Sequence, residues 1–148
     1  MTTAQTEAGC CESPPLGECL RVHALLAARR AVARLHSPLS ADNLGQFLLD
    51  SACLRYPTTL EFDSEGLESN QFAQPFLEER DGVRCCVLRV HPRYESNAEA
   101  IPYFVAYMAA AINYGPLASP DLCEEYGASL MGLETDAFYT TLLGWVDG

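Results

Sequence analysis

Two groups of residues in this chain are of types that could do chemistry. The first is His91-Pro92-Arg93-Tyr94, with Arg89 just upstream. It closes an apolar run immediately before a helix-forming stretch. A strand end that leads into a helix is a common ligand position, because the helix amides attract anions. Arg89 and Arg93 add positive charge there, so the chemistry would be capture of a small anion such as a phosphate or carboxylate. Tyr103 and Tyr107, followed by Tyr114, fall on one stripe of the next helix, and their hydroxyls suit a cavity wall or a protein interface. The plainer reading is that the arginines pair with surplus acids, His91 merely ends a strand and the tyrosines edge the core.

The second group could hold a metal. Cys10, Cys11, Cys19 and His23 lie close in sequence, and Cys19 and His23 are four apart, which places both on one helix face as some zinc sites require. The spacing matches no zinc signature, and an incidental pair in an N-terminal tail beside a packed cysteine is the plainer reading. Cys85 and Cys86 are adjacent in an extended run, so they point to opposite faces and cannot share one ion without a bulge. A nucleophilic cysteine needs a base in hydrogen-bond reach, and the histidines are His23, His36 and His91. Cys85 and His91 would be roughly 20 Å apart along a strand. The acids Glu61, Asp63, Glu65 and Glu68 do not follow the calcium-loop pattern and read as a solvated loop. No phosphate-binding glycine loop, nicotinamide fingerprint or Ser-His-Asp order appears, so the sequence names no cofactor.

The elements that must position these residues follow from periodicity. Leu20, Ala24, Ala27, Ala31 and Leu35 form one stripe of a helix over 17–36, with His23, Arg30 and Arg34 on a neighbouring stripe. Ser37-Pro38 stops it, and Ser40 or Asp42 caps a second helix through Leu54, giving a helical hairpin. Thr58 to Asp63 alternates as an edge strand, and 64–74 is a loop anchored by Leu67 and Phe72. Asp81-Gly82 is a two-residue hairpin signal, which sets Arg80 opposite Val83 and Phe76 opposite Val87. The strand over 83–91 is apolar on both faces, hence central, with the strand over 58–63 as its second neighbour. Ser96 and Glu99 make a capping box for an apolar core helix to Tyr114, although Pro102 kinks it or moves its start to about Ile101. Ser119-Pro120-Asp121 opens a helix to Met131, stopped by Gly132, and a last helix runs from Thr135 through Val146. The expected architecture is α+β: a small sheet of about three strands, expected to be antiparallel, packed with helices in the order ααβββααα and ending in a C-terminal helical hairpin. Residues 1–15 read as a tail and 16–148 as a single domain.

Charge narrows the partners. The chain has no lysine, nine arginines and a formal charge of −11, and no side-chain base follows Arg93 while eight acids do. Affinity for nucleic acid comes from basic groups tracking phosphates, so this balance disfavours DNA and RNA and favours a basic protein partner. The longest apolar run, Ile101 to Ile112, is too short to span a bilayer and no leader pattern opens the chain, so no membrane partner and a cytoplasmic location are expected. There the seven cysteines would be thiols rather than a disulfide framework. The leading functional expectation is a small accessory or adaptor protein acting through protein contact, with self-association through an apolar helix or sheet edge. The alternative, a binder of a small anion or metal, or an enzyme, requires the His91 region to converge in a cavity.

Overall fold

Asp81 and Gly82 both take positive φ, 53° and 79°, in the computed structural model, which describes residues 16–147, with side chains from Glu18 onward. That backbone matches the right-handed twist of the flanking strands and joins β2 (Ala73–Arg80) to β3 (Val83–Val90) in an antiparallel hairpin. Arg80 pairs with Val83, Glu79 with Arg84 and Phe76 with Val87, the register that a two-residue turn dictates. The strand β2 begins at Ala73, three residues earlier than its apolar content suggests, because Phe72 O already accepts from His91 N at 2.9 Å.

The sheet order is β1-β3-β2, with β1 (Thr58–Phe62) at one edge and β3 in the centre. Cys86, Val87, Leu88 and Val90 of β3 are fully buried. The antiparallel expectation is corrected: β1 runs parallel to β3, Thr58 facing Cys86 and Phe62 facing Val90, so the sheet is mixed. The reason is a count of reversals. The chain turns once between β1 and β2 and once at Asp81-Gly82, so β3 regains the direction of β1. The connection between β1 and β2 crosses the outer face of the sheet rather than looping away from it. A Cβ on Gly66, whose φ is +85°, would lie 2.8 Å from Phe76 Cζ, so only glycine lets the loop come this close.

The inner face of the sheet, with Cys86, Leu88 and Val90, joins one apolar cluster with α3 (Ile101–Tyr114). Phe104, Val105, Ala106, Ala109 and Ala110 of α3 are fully buried, and α3 packs on β2 on one side and on α4 (Pro120–Met131) on the other. Its capping box does not form. The chain makes a short 3-10 turn at Pro92–Tyr94 and α3 starts at Ile101, placing Pro102 in the first turn, where its missing N–H costs nothing. Ser119 Oγ accepts from Leu122 N at 3.1 Å to cap α4, and Gly132 ends it at φ 68°. Next comes α5 (Thr135–Asp147), which packs back on α4 as the expected hairpin. Gly127 sets that contact: a Cβ there would be 2.5 Å from Phe138 Cζ.

The first helix, α1 (Leu16–Leu35), turns Ala24, Ala28, Ala31 and Leu35 inward. Its main partner is α4; its contact with α2 (Leu44–Leu49) is slight, so the expected N-terminal hairpin is loose. The shortness of α2 traces to Asp50. Asp50 leaves the helix at ψ 114°, its Oδ1 accepting from Ala52 N at 2.9 Å and its Oδ2 from Arg34 Nε at 2.8 Å. A short carboxylate that satisfies nearby donors in a non-helical conformation stops a helix. Among the described residues no helix is long and apolar enough to cross a membrane.

Candidate functional site

The strand-end residues do not converge. Arg89 points to the outer face of the sheet, where its Nη1 donates to Glu65 O at 2.8 Å and its guanidinium lies 4.8 Å from the Phe76 ring centroid. Its Nε is sealed from solvent without a hydrogen bond, and Glu61 Oε1, at 3.9 Å, is an ion-pair partner beyond hydrogen-bond reach. Arg89 is thus a rivet that holds the 63–72 loop on the sheet. His91 Nδ1 accepts from Arg93 N at 3.2 Å, capping the short turn, which fixes the other nitrogen as the protonated one in the neutral ring. Arg93 lies over the Tyr94 ring at 4.9 Å and lines a shallow hollow beside Trp145 at the end of α5. The three groups face separate surroundings.

Cys19 and His23 are both exposed on α1, and His23 Nδ1 meets the Tyr114 hydroxyl at 3.0 Å. Cys10 and Cys11 lie outside the described residues. Among the described residues no three His, Cys, Asp or Glu side chains gather as a metal-holding group. Cys85 and Cys86 face opposite ways, Cys85 half-buried and Cys86 buried in the core. Burial pushes the Cys53, Cys86 and Cys123 thiols up to about 11, which depletes the thiolate and is the reverse of nucleophile activation.

The tyrosine stripe divides. Tyr103 stacks on Phe138 at 5.8 Å and sits 6.5 Å from Trp145, so it cements α3 to α5. Tyr107 meets Phe72 edge-on at 5.7 Å, and burial pushes its hydroxyl up to about 12. It borders a groove of about 720 Å³ between β2 and α3, whose walls include Tyr56, Pro75, Leu77, Met108 and Ile112. Pro75, which has no N–H, sits in the middle of the exposed β2 edge and blocks the pairing of another strand there.

A second hollow, of about 530 Å³, lies where α1 meets the start of α4, and the sequence did not single it out. Its apolar floor is Leu20, Leu117 and Leu122, and Leu117 is 62% exposed. Its walls carry Asp121, Glu124 and Glu125. Asp121 stands in the first turn of α4, where a carboxylate stabilises the positive end of a helix. Glu125 holds Arg21 in a fork: Arg21 Nε is 2.8 and 2.9 Å from its two oxygens and Nη2 is 2.6 Å from Oε2. No ion pair among the described residues engages Asp121 or Glu124. Burial raises Glu124 above the usual carboxylate range, and Asp121, Asp136 and Glu125 raise it further. The hollow therefore holds one guanidinium already and retains two carboxylates, Asp121 and Glu124, that no ion pair among the described residues engages. The available sequence signal was Asp121, Glu124 and Glu125 at helical spacing in a region without bases; the approach of Leu20, Arg21 and Leu117 was not legible.

No family model, curated protein or solved structure matches this chain.

Proposed function

We propose that this chain is an accessory or adaptor protein that works by protein contact, receiving a basic, leucine-bearing segment of a partner in the hollow between α1 and α4. The observation that carries the reading is the fork of Arg21 on Glu125 beside Asp121 and Glu124. An arginine seated on one carboxylate, with two further carboxylates above an apolar floor, is a template for how a partner's arginine would bind. Removing charge repulsion around Glu124 adds to the gain, and the exposed Leu117 supplies apolar area to cover. The reading of His91, Arg89 and Arg93 as an anion site has weaker support, because each of these groups is engaged with a different neighbour. A cytosolic working place is supported by the buried thiols of Cys53, Cys86 and Cys123, none of which is in a disulfide.

The experiment is fluorescence anisotropy of a dye-labelled acetyl-Leu-Arg-Arg-Leu-amide peptide titrated with the protein. Binding is expected to weaken as salt rises, because screening shortens the reach of the carboxylates. The double variant Asp121→Asn/Glu124→Gln should bind about tenfold less tightly or worse, about 1.4 kcal/mol. Equal binding of a Leu-Glu-Glu-Leu control, or no change in the double variant, contradicts the reading.

A further inference from the structure

The helix α1 has two faces of opposite purpose. Ala24, Ala28, Ala31 and Leu35 face α4, at the 4-3-4 spacing of a packed seam. Half a turn away, Val22, Leu26, Arg29 and Ala33 repeat the 4-3-4 spacing on the outward side, and all four are exposed. Val22 is 51% and Leu26 43% exposed, so the apolar centre of this outward stripe is turned to solvent. Glu18 and Arg29 stand on one side of this apolar centre, at 100° of turn per residue, and Arg30 stands on the other. No ion pair among the described residues engages Glu18, Arg29 or Arg30. The attraction of Glu18 reaches Arg21, which Glu125 already holds.

The order of these residues is self-complementary under a two-fold axis. If two copies of α1 lie antiparallel with the axis at the level of Ala24, every residue meets one whose number is as far beyond Ala24 as its own falls short. Val22 then lies against Leu26 of the other copy, twice. Glu18 lies level with Arg30 of the other copy, and Arg29 of that copy, one position away, stands on Glu18's own rim of the contact, also twice. The parallel alternative would set Arg29 and Arg30 against themselves. We propose that the outward face of α1 is a contact for a second copy of this chain, formed as an antiparallel helix pair with an apolar centre of Val22 and Leu26 and Glu18–Arg29 ion pairs at both ends. An isologous contact of this kind closes on itself and stops at a dimer.

Its strength follows from its size. The stretch from Glu18 to Arg30 is about 20 Å of helix, and a single pair of helices over that length buries less than the about 1,200 Å² typical of stable complexes. The dimer is therefore a weak one, half-dissociated somewhere between about 1 µM and about 1 mM. The contact does not use the acidic hollow, so its failure would leave the partner reading untouched.

The test is sedimentation velocity on the full chain across that range, about 1 µM to about 1 mM, with circular dichroism melts to show that each exposed-face variant stays folded. Wild type should pass from monomer to dimer with concentration. Leu26→Glu should remain monomeric, and Glu18→Arg should weaken the dimer at least tenfold by facing Arg29 and Arg30 of the other copy. The swap Glu18→Arg/Arg29→Glu/Arg30→Glu should restore it, because the antiparallel pairing is satisfied with the signs exchanged. A wild-type monomer throughout overturns the proposal. So does a dimer indifferent to Leu26→Glu, or a swap that fails to rescue.

Discussion

Asn113 is the side chain whose loss should unsettle this fold most for its size. It sits on α3 with its amide turned into the junction of three segments. Nδ2 donates to Cys53 O and to the Tyr126 hydroxyl, each at 3.1 Å, and Oδ1 accepts from Arg55 N at 2.7 Å. Tyr126 is fully buried and Cys53 nearly so. In Asn113→Ala both acceptors lose their donor in places that water reaches poorly, at about 1–3 kcal/mol each. The Arg55 amide lies near the surface and can be rehydrated, so the total is about 2–6 kcal/mol. For a chain of this length that lowers Tm by roughly 6–18 °C. Asn113→Asp separates the contributions, since it keeps the acceptor for Arg55 and removes both donors; its loss should be nearly as large. Urea unfolding followed by circular dichroism, with an unchanged m-value, would report both. A loss below about 1 kcal/mol in either variant would refute the assignment of Asn113 as the clamp between the 50–56 segment, α3 and α4.

Other expectations concern separate parts of the molecule. Gly127→Ala forces Phe138 aside, and the overpacking, about 1–3 kcal/mol, should exceed the gain in helix propensity of about 1 kcal/mol or roughly cancel it; a variant clearly more stable than wild type would show that α4 and α5 are not in contact there. Arg89→Ala should speed amide exchange at Glu65–Leu67 without altering exchange in α4, and uniform exchange changes would deny the rivet. Glu124 is raised in the folded chain, so the fold binds its proton more tightly than the unfolded chain does; the stability gained from protonation is present in acid and lost as pH rises through the folded value. Glu124→Gln should accordingly raise Tm at pH 7 and give no benefit near pH 3, and the opposite trend would mean that a cation neutralises the site. Brief alkylation at pH 8 followed by mass spectrometry should label Cys19 and Cys85 well before Cys53, Cys86 and Cys123, whose thiols are buried; early labelling of Cys86 would contradict the packing of β3.

Much of this fold was legible because its strongest signals are local. Asp81-Gly82 fixed a register, Ser119-Pro120-Asp121 fixed a helix start, and of the two outcomes that Pro102 allowed, a kink or a start near Ile101, the second is the one found. The parallel pairing of β1 with β3 was implicit in two chain reversals and a central third strand, yet it required following chain direction rather than periodicity. The end of α2 was missed because Asp50 stops it through a tertiary partner, Arg34, that periodicity does not register. The candidate site was less legible still. The side chains at Arg89, His91 and Arg93 are close in sequence and share strand parity, but β3 ends at Val90 and the turn at Pro92–Tyr94 gives each a different neighbour. The hollow instead joins Leu20 and Arg21 to a helix a hundred residues later, and only packing brings them together.

The most direct measurement is a titration of methyl-labelled leucines followed by NMR, with unlabelled acetyl-Leu-Arg-Arg-Leu-amide as the probe. The methyls of Leu20, Leu117 and Leu122 line the hollow, while Leu77 lies in the groove beside β2 and Leu88 in the core. Shifts confined to the first three, and lost in Asp121→Asn/Glu124→Gln, are the predicted result. Shifts at Leu77 with none at Leu117, or no shifts at all, would contradict a basic partner in the hollow between α1 and α4.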